Sequence, residues 1–164
     1  MHNTTPLLIV TLTNSSKDCS LDFYGTLPLN QSQSRPRRER VHLASLSDRD
    51  EQTILFRARV QTSRAQGNKM VFLNLRQGTE SVQALAVVTP EKISKQMVKW
   101  IAGLADESIV LVEGIVHKSP EPIKSATVSD VEVHITQVHL FFCFLNYVGC
   151  LTSGPGPPHI KCRR

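Results

Sequence analysis

Residues 53–88, TILFRARVQTSRAQGNKMVFLNLRQGTESVQALAVV, alternate apolar and polar side chains through three successive runs, and few folds accept such a pattern. In the first run Ile54, Phe56, Ala58 and Val60 share one side, while Leu55, Arg57, Arg59 and Gln61 share the other. A period of two with one greasy side is the signature of a half-buried strand. The short polar tip Ala65-Gln66-Gly67-Asn68-Lys69 then predicts a hairpin or near-hairpin connection. A second run puts Val71, Leu73 and Leu75 inside, opposite Met70, Phe72, Asn74 and Arg76. After the turn Gln77-Gly78-Thr79-Glu80, a third sets Val82, Ala84, Ala86 and Val88 against Gln83 and Leu85. Three antiparallel strands are therefore expected to present one polar face bearing Arg57, Arg59, Arg64, Phe72, Arg76 and Gln83. An outward aromatic among arginines equips a sheet to stack a base and hold its phosphates. An outward phenylalanine serves equally well to cover a sheet edge, so the pattern alone leaves both roles open.

Charge adds little to that face. The chain has 164 residues and a net charge of +5, enough length for one domain with extensions. Residues 1–51 hold six basic and six acidic side chains, 52–140 hold ten and eight, and 141–164 hold three and none. The excess is mostly in the tail, so a basic surface has to be argued from facing rather than from the total. Residues 1–40 are expected to form a poorly structured extension. Their run Leu7-Leu8-Ile9-Val10 has no basic segment before it and is too short to span a bilayer. Residues 25–40 are rich in Pro, Asn, Gln, Ser and Arg, which reads as a linker, with a basic cluster at Arg35-Pro36-Arg37-Arg38-Glu39-Arg40. The four cysteines, Cys19, Cys143, Cys150 and Cys162, form no CxxC pair. A reducing compartment is the expectation, with no disulfide framework and no metal site.

Beyond the third strand, Thr89-Pro90-Glu91 predicts a helix start, with a threonine cap, a first-turn proline and a carboxylate near the dipole. Ile93, Met97, Trp100, Ile101 and Leu104 make its apolar stripe, opposite Lys92, Lys95 and Lys99. Trp100 is thereby expected in the core. A fourth strand is expected over residues 108–117, where Glu113-Gly114 marks a bulge or tight bend. A fifth spans 131–140, with Val131, Val133 and Ile135 inside and Glu132, His134 and Thr136 outside. Three strands, a helix and two strands match a mainly β, five-stranded Greek-key OB-fold barrel over 41–140, its helix between the third and fourth strands. Flexible extensions flank it at 1–40 and 141–164. That fold carries many ligands and names none.

The residues themselves are informative. LFRARVQTSRAQGNKMVFLNLRQ at 55–77, ISKQMVKWIAGLADESIVLVEGIV at 93–116, EPIKSATVSDVEVHITQVHL at 121–140 and the lead-in YGTLPLNQSQ at 24–33 resemble one family. It is the anticodon-binding domain of eukaryotic cytosolic aspartyl-tRNA synthetase. The resemblance runs near-continuously over residues 24–140. It implies that Phe72 stacks the central anticodon uridine, with Arg64 at the end of the first strand and Gln83 on the third. Ser125 of the IKSAT loop and Glu132 of the last strand are implied to read the flanking bases. Arg57, Arg59 and Arg76 are secondary candidates for backbone contacts. The implied partner is the anticodon loop of tRNA(Asp), with full-length synthetase subunits as a further one, and the implied compartment is the cytoplasm.

In that family a hinge and a class II catalytic domain using ATP and Mg²⁺ follow the OB domain. None of its arginine-bearing ATP motifs occurs in these 164 residues, so the chain is expected to stop before that domain. No residue is assigned to aminoacylation, and no cofactor is expected in this chain. After Leu140 the resemblance ends, and FFCFLNYVGCLTSGPGPPHIKCRR is expected to be a sticky, disordered tail. Two other readings stay open. One is a general single-strand-binding OB domain, and the other is a non-catalytic protein-interaction fragment.

Overall fold

Strands form where the alternation is strongest. The structure is a computed structural model that describes residues 18–27, 38–90 and 92–142. Strand β1 is Tyr24–Thr26, β2 Thr53–Gln66, β3 Met70–Gln77 and β4 Glu80–Val87. Helix α1 is Lys95–Ala102, followed by β5 Ile109–Lys118 and β6 Val131–Phe142. The hydrogen-bonded order is β1-β6-β4-β3-β2-β5, and β5 also pairs with β6. That last pairing closes β2–β6 into the expected five-stranded barrel. Closure leaves those strands no open edge, which removes a template for unwanted pairing.

Phe56, Val60, Val71, Leu73, Leu75, Val82 and Val110 are all fully buried inside it. Met97 and Ile101 of α1, also fully buried, close one end. Leu43 and Leu46, in and just after the short 3₁₀ turn Leu43–Ser45, join the same core.

Four expectations change against the structure. The helix begins later than Thr89-Pro90-Glu91 suggests. Thr89 and Ile93 instead exchange backbone hydrogen bonds in an isolated bridge, at 3.0 and 3.1 Å. The true cap is Ser94, whose side chain accepts from the Met97 amide at 3.0 Å. Trp100 is only partly buried; its ring tilts against Tyr24 at 5.4 Å between centroids. The 1–40 segment contains a structured piece, because β1 runs parallel to β6 and makes a sixth strand on the barrel wall. At the other end β6 continues through Phe141 and Phe142, both exposed, beyond the expected end at residue 140. The remaining tail, including Cys143, Cys150, His159 and Cys162, lies outside the described residues.

Two bulges set the facing of the outer wall. Between Val60 and Thr62 the β2–β3 register slips, so Gln61 is the extra residue. Arg57 and Arg59 point out before that slip, and Thr62, Arg64 and Gln66 point out after it. The predicted irregularity at Glu113-Gly114 is present, although the extra residue, Thr136, lies on the partner strand β6. Past it Val138 and Leu140 turn inward.

Candidate nucleic-acid interface

The antiparallel β2–β3–β4 ladder and the parallel β4–β6 pair align outward residues in two neighbouring rows. One row is Arg64, Phe72, Leu85 and His134, each the register partner of the next. The other is Thr62, Asn74, Gln83, Glu132 and His117. Every member is half-buried or exposed. A stacking row thus runs beside a hydrogen-bonding row, and both cross the barrel from β2 to the strands that close it.

The two rows border a groove of about 680 Å³ lined by Arg64, Phe72, Asn74, Gln83 and Ser125, among others. Four of the five residues expected at the site therefore meet in one depression. The fifth, Glu132, borders it through Gln83, whose Nε2 donates to Glu132 Oε2 at 2.8 Å. Ser125 comes from the loop between β5 and β6. It is held over the groove where its carbonyl accepts from Asn74 Nδ2 at 2.8 Å, and its hydroxyl lies 3.4 Å from Gln83 Oε1. Glu132 Oε1 is 3.0 Å from His134 Nε2. One side-chain donor therefore meets each carboxylate oxygen, which fixes the plane of the group and leaves lone pairs for a ligand.

The structure adds Asn74 to the expected set. Its Oδ1 is buried and has no hydrogen-bond partner among the described residues. A buried acceptor left unpaired costs about 1–3 kcal/mol. The alternation already faced Asn74 outward next to Phe72. The pairing that leaves one of its two polar atoms unused depends on the Ser125 loop and cannot be read from a strand pattern.

The secondary arginines do not join this groove. Arg57, Arg59 and Arg76 surround a separate hollow of about 220 Å³ at the other end of the β2–β3 pair. Arg59 is bridged to Glu107 at 2.8 Å, and the Arg57 guanidinium sits 5.6 Å from the Phe141 ring centre. The slip at Gln61 brings Arg64 onto the same outward side as these arginines, but it lies farther along β2, paired with Phe72. Arg64 has no ion pair among the described residues. No cluster of three or more His, Cys, Asp or Glu side chains suited to a metal ion occurs among those residues, and no helix among them is long and apolar enough to cross a membrane.

A stacking ring, an arginine beside it and a row of amide and carboxylate groups on an OB barrel suit an unpaired nucleic-acid strand. Comparison with known proteins agrees. Residues 54–141 match the tRNA anti-codon family, described as an OB-fold nucleic acid binding domain. The chain belongs to that family. It is 41% identical over 130 residues to the cytoplasmic aspartate–tRNA ligase of Rattus norvegicus, covering 79% of this chain and 26% of that protein. Against the Caenorhabditis elegans cytoplasmic aspartate–tRNA ligase the identity is 37% over 123 residues, covering 74% and 23%. Among solved structures, aspartyl tRNA synthetase from Entamoeba histolytica superposes with a TM-score of 0.69 at 35% identity, covering 74% of this chain and 25% of that one. The chain therefore spans about a quarter of the length of these relatives, and the likeness is to their OB domain.

Proposed function

We propose that this OB domain binds the anticodon loop of tRNA(Asp) and serves as the recognition half of aspartyl-tRNA formation in the cytoplasm. The observation that carries the reading is the meeting of Phe72, Arg64, Asn74, Gln83 and Ser125 in one groove, with Glu132 hydrogen-bonded to its rim. The choice of tRNA(Asp) is supported by the aspartate–tRNA ligases among the relatives.

In this reading the central base of a GUC anticodon lies on Phe72, and Arg64 on the adjacent strand holds a flanking phosphate. The carboxylate of Glu132 only accepts hydrogen bonds, so it suits bases with amino or imino donors on the exposed edge. Guanine and cytosine, which flank the central uridine, both have them. The Ser125 hydroxyl offers a further contact beside Gln83. Full-length synthetase subunits are the other partners this reading implies.

Isothermal titration with a GUC anticodon stem-loop tests it. Phe72→Ala removes one base–aromatic stack and is expected to weaken binding by about 1–3 kcal/mol. An unchanged dissociation constant would remove Phe72 from the platform.

A further inference from the structure

The groove leaves the rings of two histidines on the far side of Glu132 unused. His134 stands in the row of Phe72 with Leu85 between them, two strand spacings of about 4.8 Å away. His117 stands in the neighbouring row, directly beyond Glu132. Their rings lie 4.2 Å apart with 54° between the planes. The side chain of His134 is 46% exposed, so a free ring face is available to solvent. A carboxylate offers no proton, so the one shared at 3.0 Å with Glu132 belongs to His134 Nε2.

We propose that His134 and His117 form a second base-stacking site, which takes an unpaired ribonucleotide base flanking the one on Phe72. Imidazole rings are stacking surfaces for splayed RNA bases. Here each ring is braced by the other, and one is also tethered to Glu132, so stacking a base on the pair costs little side-chain freedom. Leu85 and Ile115, the register partners of His134 on its two neighbouring strands, border the site with apolar surface. The loop carrying Ser125 leaves β5 just past His117 and enters β6 just before Glu132. A strand crossing from β3 to β6 therefore meets Phe72, then the Gln83–Glu132 pair, then the histidines. The inference rests on the RNA-binding reading above. It differs from a role for His134 as a mere brace for Glu132.

Fluorescence anisotropy on the full chain separates these roles. The probes are a GUC stem-loop and a set in which each loop base in turn is replaced by an abasic ribose. His117→Ala is expected to weaken binding of the intact RNA about fivefold or more, the effect of losing one stack. That loss should vanish against one abasic RNA, at a different position from the one that silences Phe72→Ala. His134→Phe keeps a ring but gives up the bond to Glu132, and should retain the coupling that His134→Ala loses. The two histidine positions give independent arms, so a variant that fails to fold leaves the other to decide. Wild-type binding by both alanine variants overturns the proposal. So does a loss that is the same at every abasic position, or equal for His134→Phe and His134→Ala, because a brace alone would give it. If Phe72→Ala keeps its own base coupling in those cases, the anticodon reading stands and only the second site falls. If the wild-type chain binds none of the RNAs, both fall.

Discussion

Gly114 is buried where β5 and β6 come closest, and the absence of a side chain there lets them pair across the bulge. A methyl group would lie 2.6 Å from the His134 carbonyl oxygen and 2.7 Å from Val133 Cγ1. The first of these is backbone in a paired strand, so relief requires moving β6 itself. Gly114→Ala is expected to cost about 1–3 kcal/mol, the range for an overpacked interior, read as a lower midpoint in urea unfolding at unchanged slope. An unchanged midpoint would mean that β6 shifts freely at the bulge. Asn74 is the opposite case, a residue whose local energy is worse than it need be. It lines the groove, yet its Oδ1 is buried with no hydrogen-bond partner among the described residues.

At the scale of elements, β1 is the piece with the most distinctive chemistry. The Tyr24 hydroxyl donates to Asp18 Oδ2 at 2.7 Å, and Ser20, fully buried, bonds the Lys92 carbonyl and the Ser94 amide at 2.8 Å each. Burial, then the hydrogen bond and charge of Asp18, push the Tyr24 phenol well above its ordinary value. Burial also pushes the Asp18 carboxyl up, but hydrogen bonds from Ser94, Ser20 and Tyr24 outweigh it and hold the group below its usual range. Tyr24 binds its proton more tightly in the fold, so its contribution is complete below about pH 10, the ordinary phenol value, and is lost as pH rises beyond it. Asp18 has the reverse sign, its contribution being present above about pH 4 and lost as acid protonates it. Tyr24→Phe is expected to flatten the alkaline limb of stability against pH, measured by urea unfolding from pH 8 upward. An identical slope in the variant would assign that limb to other groups. None of this was legible beforehand, because three residues are too few to show a period and β1 owes its place to the tyrosine anchor and to β6. The barrel strands were legible, since alternation over eight or more residues with one buried face admits little else. The helix start was misread because Thr89-Pro90-Glu91 satisfies local capping rules while the bridge to Ile93 uses the same backbone. At the site, Phe72, Gln83 and Glu132 were legible from facing. The facing of Arg64 was not, because it shares the side of Arg57 and Arg59 only through one extra residue in β2.

The described residues combine a closed barrel with a candidate recognition surface made almost entirely of strand residues. Ser125 is the exception, and its loop is pinned through Asn74 and Gln83. Side chains on paired strands lose little freedom on binding, so the surface suits selection among bases better than indiscriminate adhesion. In the proposed reading, Ser125, Gln83 and Glu132 give that selection a chemical basis beyond stacking. A swapped anticodon leaves some of these groups facing the wrong edge, and each buried polar group left unpaired costs about 1–3 kcal/mol. The most direct test is titration of the full 164-residue chain with two stem-loops that differ only in the anticodon, one GUC and one with all three bases exchanged. The account predicts that the GUC stem-loop binds at least roughly tenfold more tightly, the consequence of one such mismatch or more. Equal affinity for the two would contradict it and leave a barrel that holds single strands without reading them.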